Sequence, residues 1–340
     1  MYSASIKEAL SKLNPLGNDA ILFVTDESMT LIGSLTDGDV RRGFLNGFDL
    51  NSKVILFIQK NPKKINKDNY TVQEIIKYRN QGFKILPIVN IDNQIIGVVN
   101  FRLNKSYLPI DSVVMAGGRG ERLKPLTDIV PKPLLKVGSK PIIEYNIDLL
   151  AYYGISNLWV SVRYLGDQIQ SYLNDGTKKG ISIKYIWETE PMGTIGALSG
   201  VNLGTNDYIL IINSDILTNV NIEDFFLDFI EKEASLSVVA IPYDVKIPYA
   251  IFETELDTVT SLKEKPEYSY YANGGIYLMK KACLSLIPIA EPYNATDLIE
   301  KIIKLGDKVV YYPMRGYWLD IGKPQDFEKA NKDISHISFK

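Results

Sequence analysis

The chain has 340 residues, a hydrophobic fraction of 46% and a formal net charge of −2, values suited to two globular domains, or one large domain with an appendage, with ordinary cores. That charge argues against general binding to nucleic acid or to a membrane surface, and no apolar run reaches the ~18–20 residues of a membrane span. A single cysteine, Cys283, and a single histidine, His336, leave no internal disulfide, no histidine-containing triad and no His/Cys zinc site.

The chemistry that remains rests on carboxylates, lysines, arginines and an oxygen-loving metal such as magnesium. The opening MYSASIKEALSKLN has no uninterrupted apolar core of the signal-peptide kind. With one cysteine, the expected location is the reducing cytoplasm. Cys283 sits in the apolar run ACLSLI and is expected to be packed.

The first hundred residues repeat themselves. ILFVTDESMTLIGSLT (21–36) matches ILPIVNIDNQIIGVVN (85–100), 64 positions further on. Each copy predicts two short strands around a polar turn, preceded by a helix, IKEALSKL in the first and TVQEIIKYRNQ in the second. After the first copy, Thr36-Asp37-Gly38-Asp39 leads into a helical VRRGFLNG, whereas the second ends in Asn100-Phe101-Arg102-Leu103 without the acidic turn. The two copies, with this ending on the first, resemble a CBS-domain pair, a small α/β module, over residues 1–104. The resemblance implies a regulatory or oligomer-forming role and a place for an adenine nucleotide, its ribose held by Thr36, Asp37 and Asp39. The competing reading is that Asp37 or Asp39 only caps the helix that follows. NKSYLPIDS (104–112) reads as a linker.

From Asp111 onward strands and helices alternate, the pattern of an α/β domain with a largely parallel sheet. VVMAG, NLWVSV and YILIINSD predict strands. PIIEYNIDLLAYYG predicts a helix from Pro141 to Gly154, and EDFFLDFIEKE another. SVVAIPY through GGIYLMK is strand-rich and is expected to form a second, mixed layer.

Strand VVMA runs into Gly117-Gly118-Arg119-Gly120, a turn whose backbone N–H groups are free to approach an anion closely. Between residues 115 and 140 six cations (Arg119, Arg122, Lys124, Lys132, Lys136, Lys140) face only Glu121 and Asp128. A polyphosphate is the natural guest. The turn is neither GxxxxGK[ST] nor a full GxGxxG, so a P-loop ATPase and a dinucleotide dehydrogenase are poorly supported. The YxxxK pair Tyr277–Lys281 is of the kind that 21 tyrosines produce by chance.

AGGRGERLKPLTDIVPKPLL resembles the signature of the sugar-1-phosphate nucleotidyltransferases. The likeness continues through ETEPMGTIGAL (188–198), NSDIL (213–217), EKP (264–266), NGGIY (273–277) and GYWLDIG (316–322). It spans 111–335 and implies a Rossmann-like, GT-A-like α/β core with a mixed sheet. The implied reaction joins a nucleoside triphosphate (NTP) to a sugar 1-phosphate and releases pyrophosphate. Such a reaction needs no general base, because the attacking phosphate is already largely ionised, its second pKa being ~6.

Carried over residue by residue, the resemblance gives Arg122, Lys132, Asp215 and Asp320 the catalytic roles, with Asp215 and Asp320 holding magnesium. Met115, Ala116, Gly117, Gly118 and Gly120 are expected around the nucleotide, together with Arg122, Glu188, Gly193, Thr194 and Asp215. Glu264, Lys265, Asn273, Gly274 and Arg315 are expected around the sugar and its phosphate. One departure is Tyr249-Ala250-Ile251, where the family has Tyr-Gly-hydrophobic; the extra methyl puts the sugar contact there in doubt.

The order of the two halves resembles that of bacterial enzymes making GDP-activated amino sugars for surface polysaccharide. GTP is therefore favoured, with glucosamine 1-phosphate or a mannose- or heptose-type sugar 1-phosphate as its partner. A thymidylyl- or uridylyltransferase acting on glucose 1-phosphate is the alternative. A nucleotide-sensing scaffold with an inactive transferase half is the alternative of another class. A homo-oligomer, dimer or tetramer, is expected.

Overall fold

The computed structural model describes residues 2–337, which fall into two compact units dividing between Leu108 and Pro109. Among the described residues no helix is long and apolar enough to cross a membrane.

In the first unit, α1 (Ile6–Leu13) starts at a capping box. Ser5 accepts from the Glu8 amide and Glu8 answers to the Ser5 amide, while Ile6, Ala9 and Leu13 face the core. Strands β1 (Ile21–Thr25) and β2 (Leu31–Thr36) form an antiparallel hairpin. Thr36 then caps α2 (Asp37–Leu45), with Asp39 closing the box. Short strand β3 (Gln59–Lys60) joins β2, and β4 (Ile65–Asn66) runs parallel to β5 (Ile85–Val89). After α3 (Val72–Asn80), strands β5 (Ile85–Val89) and β6 (Ile95–Asn100) form the second hairpin.

The repeat extends to backbone detail. The register slips between Val24 and Thr25 in one hairpin and between Ile88 and Val89 in the other, both times 64 positions apart. Met29 and Asn93, also 64 apart, both hold left-handed backbone, φ 64° and 61°. Thr30 bridges its own equivalent, Gln94. On either side the Leu31 amide donates to the Asn93 carbonyl at 2.9 Å and the Ile95 amide to the Met29 carbonyl at 3.0 Å. A pseudo-twofold axis therefore passes between Thr30 and Gln94. The copies differ where their sequences do: no helix follows β6, and residues 101–103 form a turn.

The second unit is built on β7 (Ile110–Ala116), so the stretch read as linker up to Ser112 is strand from Ile110 onward. Asp111 and Ser112 are fully buried there. The Asp111 carboxylate accepts from Asn157 Nδ2 (3.0 Å), Asn206 Nδ2 (2.9 Å) and the Asn206 amide (2.8 Å), which is why a residue that looks like linker tolerates burial. A small ribbon, β8 (Lys136–Val137) with β9 (Lys140–Pro141), precedes α4 (Ile142–Tyr152), which Gly154 terminates in left-handed backbone.

Next come β10 (Asn157–Val162), α5 (Gly166–Leu173), β11 (Ser182–Trp187), β12 (Tyr208–Asn213), β13 (Ile216–Thr218) and α6 (Ile222–Glu231). The long strands β14 (Leu236–Lys246) and β17 (Glu267–Lys280) enclose a hairpin of β15 (Ile251–Glu255) and β16 (Thr258–Lys263). Helix α7 (Ala295–Lys304), β18 (Val309–Pro313), β19 (Trp318–Asp320) and α8 (Pro324–Asp333) complete the unit.

One mixed sheet in the order β11-β10-β7-β12-β17-β14-β18 forms its centre, and β17 alone runs against the other six strands. This corrects the expectation of a second layer. The inner half of β17 is apolar and buried on both faces, so it inserts between β12 and β14. Only the outer parts of β14 and β17, with the β15–β16 hairpin, leave the sheet as an exposed arm. Cys283 is packed as expected, among Leu236, Met279 and Ile302 on one side of the sheet.

Candidate functional site

Strand order reverses between β7, whose next parallel partner is β10, and β12. In open α/β sheets ligands sit beyond the carboxyl ends of strands at such a switch point. Here the ends are tied together, the Ser214 amide donating to the Met115 carbonyl at 3.0 Å. The glycine turn leaves β7 at this point. Gly117 passes directly over Glu188, and a Cβ there would lie 2.5 Å from Glu188 Oε1. Gly120 takes left-handed backbone (φ 64°) against Lys132 and Thr127, and its carbonyl accepts from Thr127 Oγ1 at 2.9 Å.

Lys132 starts a single 3₁₀ turn set by Pro131 and Pro133, and it is buried. Its Nζ donates to Asp215 Oδ2 and lies 4.0 Å from Asp320 Oδ1. The two carboxylates, 105 positions apart in the chain, meet because β13 pairs with β19. Ile216 faces Asp320 across that ladder, and the Ile321 amide donates to the Asp215 carbonyl at 3.0 Å. Asp320 Oδ1 is buried without a hydrogen-bond partner. Burial, reinforced by Asp215 alongside, pushes the Asp320 carboxyl above the usual aspartate value, against the pull of Lys132 and Arg122.

Two cavities meet at this point. The first, about 510 Å³, is lined by Met115, Gly117, Gly118, Gly120 and Arg122 together with Glu188, Gly193, Thr194, Lys132 and Asp215. Ala116 is buried at the end of β7 and is not in the wall. The second cavity, about 340 Å³, contains Asn273, Gly274 and Asp320 and shares Thr194 and Asn213 with the first. Thr194 is fixed by α7, its Oγ1 accepting from the Ala295 amide at 2.7 Å. Trp318 Nε1 donates to the Gly274 carbonyl at 2.9 Å and braces the second cavity.

Glu264, Lys265 and Arg315 are exposed and lie in neither wall, and Ala250 is likewise on the exposed arm. Of the residues expected around the nucleotide all but Ala116 line the first cavity, whereas of those expected around the sugar only Asn273 and Gly274 line the second. Sequence reading passed over Arg163, Asn213, Asn294 and Trp318. Asn213 and Trp318 stood inside motifs already quoted, whereas Arg163 carried no local signal beyond following a strand. Among the described residues no group of three or more His, Cys, Asp or Glu is gathered, so a metal here would have two protein carboxylates.

In the first unit a cavity of about 650 Å³ is lined by Thr36, Asp37 and Asp39 with Asp19, Arg42 and Lys84. Asp39 is engaged on both oxygens. Oδ2 accepts from the Thr36 amide (2.8 Å) and Oγ1 (2.6 Å), and Oδ1 from Arg42 at 2.5 Å. Asp39 therefore caps the helix.

Residues 111–336 match the family described as nucleotidyl transferase. A D-glycero-alpha-D-manno-heptose 1-phosphate guanylyltransferase of Aneurinibacillus thermoaerophilus is 31% identical over 230 residues, 67% of this chain and 99% of that protein. A mannose-1-phosphate guanyltransferase beta-A of Xenopus laevis is 30% identical over 224 residues, 64% of this chain and 62% of that protein. A crystal structure of a candidate glucose-1-phosphate thymidylyltransferase from Bacillus anthracis, in complex with sucrose, superposes with a TM-score of 0.54 at 26% identity. It covers 68% of this chain and 97% of that one.

Proposed function

The chain belongs to the nucleotidyl transferase family, and from that premise we propose that it joins GTP to a sugar 1-phosphate, giving a GDP-sugar and pyrophosphate. The observation that carries this reading is Lys132 seated with Asp215 and Asp320 at the junction of a nucleotide-sized and a sugar-sized cavity. A sugar phosphate oxygen attacks the α-phosphorus of the triphosphate, forming one P–O bond as the bond to pyrophosphate breaks. Arg122 meets the triphosphate with a planar guanidinium able to bridge two oxygens. Lys132 neutralises the phosphates that meet at the reacting centre. Asn273 and Gly274 face the sugar, and Glu264, Lys265 and Arg315 stand too far out to be assigned contacts.

Asp215 and Asp320 suit magnesium, which is commonly held by one or two carboxylates plus substrate phosphates. Asp320 Oδ1 accepts no hydrogen bond, its nearest cation being Lys132 Nζ at 4.0 Å, and with Asp215 alongside the pair suits a further cation. When bound, the ion supplies further charge neutralisation at the phosphates.

For the base, Glu188 is the discriminating side chain. Ser161 Oγ fixes its Oε1 at 2.5 Å, and a carboxylate offers acceptors only. Guanine presents two adjacent donors, whereas uracil and thymine present one donor flanked by acceptors that a carboxylate repels. The guanylyltransferase names of the relatives support the same choice. The sugar is taken to be of the mannose, heptose or glucosamine type.

The first unit, with its twofold-related hairpins, is read as a CBS-type pair. An adenine nucleotide in its cavity would meet Thr36 and Asp37, while Asp39 shapes the helix start. This half serves regulation and assembly into a dimer or tetramer. The decisive experiment is a panel of the four common NTPs against sugar 1-phosphates with magnesium, read as pyrophosphate release. GTP turnover with at least one sugar is expected. Silence across the panel would favour the inactive scaffold.

A further inference from the structure

Arg163 and Glu188 are the first residues beyond β10 and β11. The last ladder pair of these parallel strands is Val162 with Trp187, and the Glu188 amide donates to the Val162 carbonyl at 3.0 Å. The two side chains therefore leave neighbouring strand ends at matching register, and both line the nucleotide cavity. Glu188 is held by Ser161. The Arg163 Nε is buried and has no hydrogen-bond partner. A guanidinium with an uncommitted nitrogen beside a cavity is unusual, and turning its fork toward a ligand acceptor would complete it.

We propose that Arg163 and Glu188 read the base as a pair. Glu188 accepts from guanine N1–H and the 2-amino group, and Arg163 donates to O6 and N7. The proposal rests on the GTP reading and names the second half of its specificity. Guanine alone shows two adjacent donors followed by an acceptor. Uracil and thymine show acceptor, donor, acceptor; adenine shows a donor and an acceptor; cytosine shows a donor and two acceptors. A carboxylate beside a guanidinium therefore matches one base of the five, and an arginine on guanine O6 and N7 is a strong discriminating contact. Arg163 is thus separate in role from Arg122 and Lys132, which meet phosphates.

Isothermal titration of the full-length chain with GTP, ITP (no 2-amino group) and 6-thio-GTP (a weak acceptor at position 6), in magnesium, tests this without knowledge of the sugar. Wild type should bind each analogue more weakly than GTP. Arg163→Gln should weaken GTP binding roughly five- to a hundredfold. It should also lose the 6-thio-GTP penalty and keep the ITP penalty, with Glu188→Gln showing the opposite pattern. Arg163→Lys, which keeps the stem and the charge, should fall between, and it serves if the glutamine variant does not fold. An Arg163 variant with undiminished 6-thio-GTP discrimination overturns the pair while leaving the GTP reading intact. A wild type that binds UTP or dTTP better than GTP overturns the GTP reading itself.

Discussion

Replacing Lys132 with methionine separates its structural role from the catalytic one proposed for it. The side chain is 10% exposed, against 25% for Asp215 and 44% for Asp320, so the variant keeps the packed stem and leaves two carboxylates facing one another. Breaking a fully buried pair costs ~3–5 kcal/mol and an exposed one ~0–1 kcal/mol. With the carboxylates half in solvent, a cost of about 1–3 kcal/mol is expected. In a unit of this size each kcal/mol is worth ~2–4 °C, so the metal-free variant should melt roughly 2–12 °C below wild type by scanning calorimetry. Pyrophosphate release should fall by roughly 10²–10³, the usual loss for one preorganised charge contact. Magnesium should restore much of the melting temperature and none of the turnover, because an ion between the carboxylates replaces the charge and not the donor aimed at phosphate. A variant that melts with wild type in chelator, or turns over within about fivefold of it, would refute this assignment.

Asp320→Asn should abolish magnesium-dependent turnover yet melt higher than wild type at pH 7 in chelator. Burial and Asp215 raise this carboxyl in the fold, so the folded state binds the extra proton and loses stability as pH climbs through the raised value. The gain should vanish below about pH 4, where Asp320 is protonated in both states; equal melting at all pH values would contradict the origin given for the shift. Gly117→Ala places a methyl against the Glu188 carboxylate and should weaken NTP binding by about tenfold or more with near-normal melting, read by titration. Met29→Asn should stabilise the chain toward denaturant by up to ~1 kcal/mol, because Met29 is exposed and holds the left-handed backbone that asparagine accepts in the other copy. An adenine nucleotide should raise the melting temperature of the full chain, and Asp37→Ala should remove that shift; a nucleotide without effect on wild type would leave the first unit's cavity without its proposed guest.

What could be read in advance was local. The glycine turn, the proline-flanked Lys132 and the strand–helix alternation are short-range patterns, and the structure follows them closely. The hairpin repeat was legible too, because 64-residue self-similarity needs no tertiary knowledge. The rest depended on register. Nothing local brings Asp215 to Asp320; that meeting is made by a three-residue ladder between β13 and β19. Arg163 gains its meaning only from standing level with Glu188, 25 positions later. The second-layer expectation failed for a similar reason, since an apolar strand buried on both faces looks the same in sequence whether it starts a new layer or inserts, antiparallel, into an existing one.

The hydrogen bonds exchanged around Thr30 and Gln94 make the first unit, in effect, a dimer written as one chain. In a true dimer a change to one site is a change to both, so an asymmetric pair of pockets is out of reach. Joining the copies head to tail removes that constraint while the shared axis still holds the halves together. The turn at Asn100 thus carries no helix, while its counterpart at Thr36 opens α2. The cavity beside Thr36 accordingly draws unlike residues from the two copies, Asp37 and Arg42 from one and Phe83 and Lys84 from the other.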